Sequence, residues 1–193
     1  MKKIILTVAA IFAFGFANAQ DKGGSDKSMS FGAKAGLNIA SITNSDGSSS
    51  LVGFHVGGFA EFKVSDKFAV QPELLYSAQG AKFDGGKMNL SYINIPVMAK
   101  YYVADAFSLE AGPQIGFLMS AKVKADGGGS ADVKEFFKST DFGVNFGAGY
   151  EFTENLSAGL RYNLGLAQVQ KELATGESAS HNSVIQISLG YKF

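Results

Sequence analysis

The chain has no cysteine and no tryptophan, only three prolines and two histidines, and charged residues make up just 18% of its 193 positions. Without cysteine there can be no disulfide, no thiol catalysis and no lipobox anchor. Two histidines and no cysteine argue against a dedicated transition-metal site, and nothing in the pattern asks for a cofactor. Setting aside Lys2 and Lys3 leaves 15 basic against 17 acidic residues, so there is no basic face for a nucleic acid. The charged share lies below the usual quarter of soluble domains. Beyond Phe16 no apolar run is long enough for a helical span, so any membrane insertion must use strands.

The amino terminus has the make-up of an export signal. Lys2 and Lys3 precede an apolar stretch from Ile4 to Phe16, followed by small residues at Ala17-Asn18-Ala19. This predicts a secretory signal peptide over residues 1–19, cleaved near Ala19/Gln20, because the apolar run is too short to anchor. Residues 20–28 are small and polar and read as a flexible lead-in. Residues 29–193 then form one domain, in keeping with its length.

That domain is built on a period of two. At the carboxyl terminus Ile185, Ile187, Leu189, Tyr191 and Phe193 alternate with Gln186, Ser188, Gly190 and Lys192. Such alternation marks a strand with one apolar and one polar face. Eight segments share it, at about 29–40, 52–64, 68–82, 88–103, 107–122, 139–152, 156–168 and 183–193. Phe59 interrupts the second. Tight turns are expected at 65–67, 104–106 and 153–155; longer links at about 41–51, 84–87, 123–138 and 169–182 alternate with them. An even number of strands with short turns on one side and longer loops on the other predicts an all-β, eight-stranded antiparallel up-and-down transmembrane β-barrel in a bacterial outer membrane.

A soluble barrel would turn its polar face to water and crowd it with Lys and Glu. Here that face is mostly Gly, Ser, Asn and Gln, which suits a narrow, filled lumen. The apolar face carries more bulky residues than a small lumen could hold, and Tyr101, Tyr150, Tyr162 and Tyr191 on it are candidates for an interfacial girdle. The polar face bears Lys34, Lys63, Lys100, Arg161 and Lys192 against Glu61, Glu73, Glu110, Asp141 and Glu151. Buried charges persist only when paired. The expectation is a lumen charge network of Lys34, Glu61, Lys63, Glu73, Lys100, Glu110, Glu151 and Arg161 that plugs the barrel, with an ion path as the alternative. Pro72, Pro96 and Pro113 fall inside strands, where a missing N–H is unwelcome; β-bulges at these sites are the expected accommodation.

Gly53 to Lys82 (GFHVGGFAEFKVSDKFAVQPELLYSAQGAK) and Tyr92 to Val103 (YINIPVMAKYYV) resemble the PorT-like outer-membrane β-barrel domain family of Bacteroidota. The likeness continues more loosely through Gly112–Phe117, Asp141–Phe152 and the last strand. It implies an eight-stranded outer-membrane barrel with habitual strand prolines, and no particular activity. The terminal Phe193, with Tyr191 two before it, resembles the signal read by the barrel-assembly machinery, the partner expected during biogenesis alongside outer-membrane lipid.

Candidate chemistry is sparse. His55 is expected at the outer rim, in water, near Asp46 and Ser48 to Ser50; these residue types could serve a lipid-modifying enzyme, but no spacing marks a nucleophile. The Gly127–Gly129 run lacks the strand–helix setting of a phosphate cradle. Phe136 and Phe137 in the longest loop are expected to continue the sixth strand above the membrane, with contact to a ligand, a surface or envelope partner or lipopolysaccharide as the alternative. Three readings follow: a non-enzymatic structural or interaction barrel acting through its loops, a small-solute channel, and a lipid-modifying enzyme.

Overall fold

The computed structural model describes residues 29–44, 47–171 and 179–193. The expected signal peptide and lead-in lie outside these residues, as do Asp46 and part of the last outer loop. The strands are β1 (Met29–Ile42), β2 (Ser49–Ser65), β3 (Phe68–Phe83), β4 (Gly86–Ala104), β5 (Phe107–Ala125), β6 (Ser130–Asp132), β7 (Thr140–Glu151), β8 (Leu156–Gly165) and β9 (Asn182–Lys192). A single 3-10 turn, Lys134–Phe136, follows β6.

Each long strand pairs antiparallel with its neighbour, and β1 pairs with both β2 and β9, so eight strands close into a ring with no free edge. Closure gives every ring strand a partner on both sides, which lipid demands. The short β6 was not expected; it adds to the outer end of β5, where Lys122–Lys124 extends beyond the last pairing with β7.

The period of two sorts the faces. Leu37, Phe54, Leu109, Phe146, Leu160, Leu189 and their alternating companions are exposed on the outside, whereas Asn38, His55, Glu73, Asn145, Asn163 and Gln186 are buried within. Phe59 does not break the alternation. It points inward with His55 and Glu61 and is buried at 3% exposure, an apolar residue on the lumen side. A Cβ at Gly32 would lie 2.3 Å from the Phe59 ring, so the bare backbone there makes room for it.

The prolines are not bulged. Pro72 pairs with Val97, Pro96 with Gln114 and Pro113 with Val144, and the register is unchanged on both sides of each. What lapses instead is the ladder to the preceding strand: pairing is interrupted between Phe59/Glu73 and Phe62/Val70, between Pro72/Val97 and Leu75/Asn94, and between Pro96/Gln114 and Ala99/Ala111. Lacking an N–H, each proline forfeits bonds to one side only, and the two intact flanks hold the register. The register shifts fall elsewhere, at Ser50/His55, Lys63/Ser65, Ser91/Tyr92 and Tyr102/Ala104.

One outer link is as tight as the inner turns. β3 ends at Phe83 and β4 begins at Gly86, with Gly85 at φ 85°, in place of the expected longer loop. β4 and β5 are 19 residues each, against 10 for β8. About ten residues suffice to cross the bilayer, so the wall is tall on the β3–β5 side and stands well above the membrane.

Candidate functional site in the lumen

The lumen is layered. At the inner end, every one of the eight ring strands contributes one charged side chain to a single network: Lys34 on β1, Glu61 on β2, Glu73 on β3, Lys100 on β4, Glu110 on β5, Glu151 on β7, Arg161 on β8 and Lys192 on β9. Four are cationic and four anionic. They fall into two neutral quartets. In one, Arg161 donates through Nη1 and Nη2 to both oxygens of Glu73 at 3.0 and 2.9 Å and through Nη2 to Glu110 at 2.9 Å, while Lys34 donates to Glu73 at 2.8 Å. In the other, Lys100 donates to Glu61 at 2.6 Å and Lys192 to Glu151 at 2.9 Å and to Glu61 at 3.5 Å. Lys100 lies 4.0 Å from Glu110 and so links the two quartets.

Neutral side chains complete the network. Gln71 donates to Glu73 at 2.7 Å and accepts from Lys100 at 3.3 Å. The Tyr102 hydroxyl lies 3.2 Å from Glu61 and 3.0 Å from Glu151; its one proton serves either. Tyr102 was missed in the sequence, although its spacing of two from Lys100 places it on the same face. Small residues opposite, Gly149, Ser157, Gly159, Ser188 and Gly190, leave the long side chains space to cross, and the cavity that remains among them is about 30 Å³. That admits one or two waters.

Of the expected network members, Lys63 stands apart. It is exposed at the inner rim, its ammonium sits 5.8 Å from the Tyr102 ring centroid, and it makes no ion pair among the described residues. Asp141 lies at the other end of the barrel, accepting from Asn182 at 2.7 Å.

Above the charges lies a neutral amide layer. Asn38 donates to the carbonyls of Phe54 and Ala78, bridging β2 and β3 where their ladder shifts register. With its nitrogen so engaged, its oxygen accepts from Gln186 at 3.2 Å and from His55 Nδ1 at 2.8 Å. His55 therefore carries its proton on Nδ1. It is 1% exposed, not at a wet rim, because its odd-numbered position on β2 turns it inward below the outer apolar layer. Its partner is an amide, and Ser49 and Ser50 are exposed above it, so no Ser–His–carboxylate arrangement exists among the described residues.

The outer end is closed by grease. Ile42, Ala81, Leu90, Tyr92, Leu118 and Ala121 point inward and pack with Phe137 and Val169 from the loops. Phe137 is thus buried at 7% and unable to meet a partner, whereas Phe136 is 61% exposed. The 3-10 turn separates their fates by pointing consecutive side chains in different directions. At the opposite end Tyr191 and Phe193 are exposed on the outer face, their rings 5.8 Å apart, and the Phe193 N–H donates to the Phe31 carbonyl. No group of three His, Cys, Asp or Glu residues suited to a metal occurs among the described residues.

A closed antiparallel ring of eight strands, apolar outside and polar within, is the architecture of a transmembrane β-barrel of the bacterial outer membrane. The chain belongs to the outer membrane protein beta-barrel domain family, whose model matches residues 17–171. Its fold is similar to that of the Neisserial surface protein A (TM-score 0.54, 20% identity, covering 88% of this chain and 100% of that one). It is also similar to the attachment invasion locus protein Ail of Yersinia pestis (TM-score 0.52, 15% identity, 86% and 99% covered). A major outer membrane protein of Thermus thermophilus is a third likeness (TM-score 0.53, 12% identity, 86% and 100% covered). No curated protein sequence matches this chain.

Proposed function

We propose that this protein is a sealed, non-enzymatic outer-membrane barrel whose role is structural or interactive, exercised through the parts that project outside. One observation carries the reading: a charge from each ring strand meets in a neutral network that leaves about 30 Å³ of space. A permeating ion would have to displace ion pairs buried in a low-dielectric lumen and then cross the apolar layer around Leu90, Tyr92 and Phe137. The tall β3–β5 wall, with β6 and the exposed Phe136, is the natural contact surface for an envelope or surface partner.

On the same reading residues 1–19 are removed on export, residues 20–28 are a lead-in to the barrel, and Tyr191 and Phe193 are the signal for the barrel-assembly machinery. The finer likeness to PorT-like barrels is supported by the segments Gly53–Lys82 and Tyr92–Val103, which form most of β2 and β3 and the inner part of β4. Planar-bilayer recording tests the proposal. Silence at about 100 mV and physiological salt is expected; steady single-channel steps from the folded protein would replace the plug with the small-solute channel. Unchanged lipid A and phospholipid profiles on overexpression are expected too, and altered acylation abolished by His55→Ala would favour the enzyme.

A further inference from the structure

Four lysines stand together on the outside of the tall wall. Lys82 on β3, Lys87 on β4 and Lys124 on β5 are direct register partners in one row, and Lys122 lies in the adjacent row on the same face, opposite Asn89. Side chains on that face point away from the lumen: the residues between them, Ala81, Met88 and Ala121, face the outer apolar layer, while all four lysines are exposed. Like charges directly opposite across strands repel, yet none of the four makes an ion pair among the described residues. The acidic residues nearby are engaged elsewhere or set apart. Asp84 and Asp126 sit at hairpin tips. Asp132 is the register partner of Lys122 on β6, but its carboxylate turns to the Lys134 N–H and accepts from it at 2.9 Å. Such a cluster is open to a counter-charge from outside the chain.

Its height says where that charge comes from. Strands tilted as in outer-membrane barrels climb roughly 2.5 Å per residue, so a band about 25 Å tall uses about ten residues. Counted from the inner-rim residues Phe68, Tyr101 and Phe107, the band ends near Ala78, Ser91 and Phe117, and the lysines stand about 10 to 17 Å beyond it, from headgroup level outward.

The surface below the lysines is concave. The register shift at Ser91/Tyr92 makes Met119 an extra residue on β5, and β2 parts from β3 between Ser50 and His55. Together they form a groove of about 480 Å³ with Val52, Phe54, Tyr76 and Met119 along its apolar part and Ser120, Lys122 and Lys124 along its polar part. The Nδ2 donor of Asn89, also lining the groove, is buried without a hydrogen-bond partner. An apolar floor, an unused donor and a row of uncompensated cations form a graded surface that fits an amphiphile with a negative head.

We propose that this groove is a binding site for a phosphorylated glycolipid of the outer leaflet, of the lipid A class. Its acyl chains lie against Phe54, Tyr76 and Met119, its phosphates are held by Lys82, Lys87, Lys122 and Lys124, and Asn89 donates to a sugar or phosphate oxygen. The proposal rests on the membrane location alone and stands whether or not the lumen conducts.

Native mass spectrometry of the protein refolded into lipid-free detergent tests it, with purified lipid A as probe. The unaltered protein is expected to hold one lipid A and to bind enzymatically dephosphorylated lipid A at least about tenfold more weakly. Replacing all four lysines by glutamine is expected to weaken lipid A binding by at least about tenfold, and replacing them by arginine to preserve it. Millimolar inorganic phosphate is expected not to displace the lipid. Equal binding of the phosphorylated and dephosphorylated lipids, or undiminished binding by the folded glutamine variant, overturns the proposal. Displacement by free phosphate overturns the lipid as the source of the anion. The dephosphorylated lipid is tested on the unaltered chain, so that arm decides even if the glutamine variant fails to fold.

Discussion

Arg161→Met isolates the energetic role of the lumen network. Among the described residues Arg161 is the only side chain that hydrogen-bonds both Glu73 and Glu110, through three bonds of 2.9 to 3.0 Å. The side chains of Arg161 and Glu73 are 5% and 0% exposed, so little water can replace what is lost. Methionine leaves Glu73 with Lys34 and Gln71, and leaves Glu110 with Lys100 at 4.0 Å. The quartet changes from two cations and two anions to one cation and two anions. Removing one partner of a buried pair costs about 3–5 kcal/mol, because a charge remains buried without compensation. Adding Glu73→Gln restores neutrality, so the double variant should be more stable than the two single losses summed predict, by about 1 kcal/mol or more. Reversible urea unfolding in phosphatidylcholine vesicles measures this. With no tryptophan in the chain, the transition is followed by far-ultraviolet circular dichroism and by the gel mobility of folded against heated protein. A loss below about 1 kcal/mol for Arg161→Met, or strict additivity in the double variant, would refute the idea that this network is a tightly coupled plug.

The same assay checks three further expectations. Leu160→Arg, outward and midway along β8, should cost about 2–4 kcal/mol in a bilayer, whereas Asn163→Ser, which removes one donor to Asn145, should cost about 1 kcal/mol; equal penalties would contradict the assignment of faces. Phe137→Ala should lose about 3–5 kcal/mol by emptying part of the outer apolar layer, while Phe136→Ala should change stability by less than about 0.5 kcal/mol. Gly36→Ala should destabilise by about 1–3 kcal/mol, since its Cβ would meet the Ile187 carbonyl oxygen at 2.1 Å and backbone rather than a pliant side chain would have to move; a wild-type midpoint would show the strands to be less closely packed there.

The faces of the strands were legible because the signal is local: a residue's side depends on whether it is an even or odd number of positions from its neighbours. Leu160 and Arg161 were assigned to opposite faces from the alternation of β8 alone, and the structure has them so. Hydropathy misled where the lumen itself is apolar. Phe59 was taken as an interruption, and Leu90, Tyr92, Met98 and Leu118 gave no sign that they point inward, although their parity on each strand agrees with it. Proline chemistry was read correctly as a missing donor, but the consequence was local loss of pairing rather than an inserted residue. Phe137 was indistinguishable from Phe136 in the chain, because burial there depends on where the 3-10 turn carries each ring relative to the barrel mouth.

The alternation by itself therefore determined eight membrane strands, their two faces and the tight inner turns, since each of these depends on residues close in sequence. Which inward residues touch was decided only by closure of the ring. Glu73 and Arg161 are 88 positions apart, and their meeting depends on the tilt and stagger of all the strands between them. The same holds on the outside, where four lysines scattered over β3, β4 and β5 became one charged patch of two adjacent rows only once the register of three strands was set.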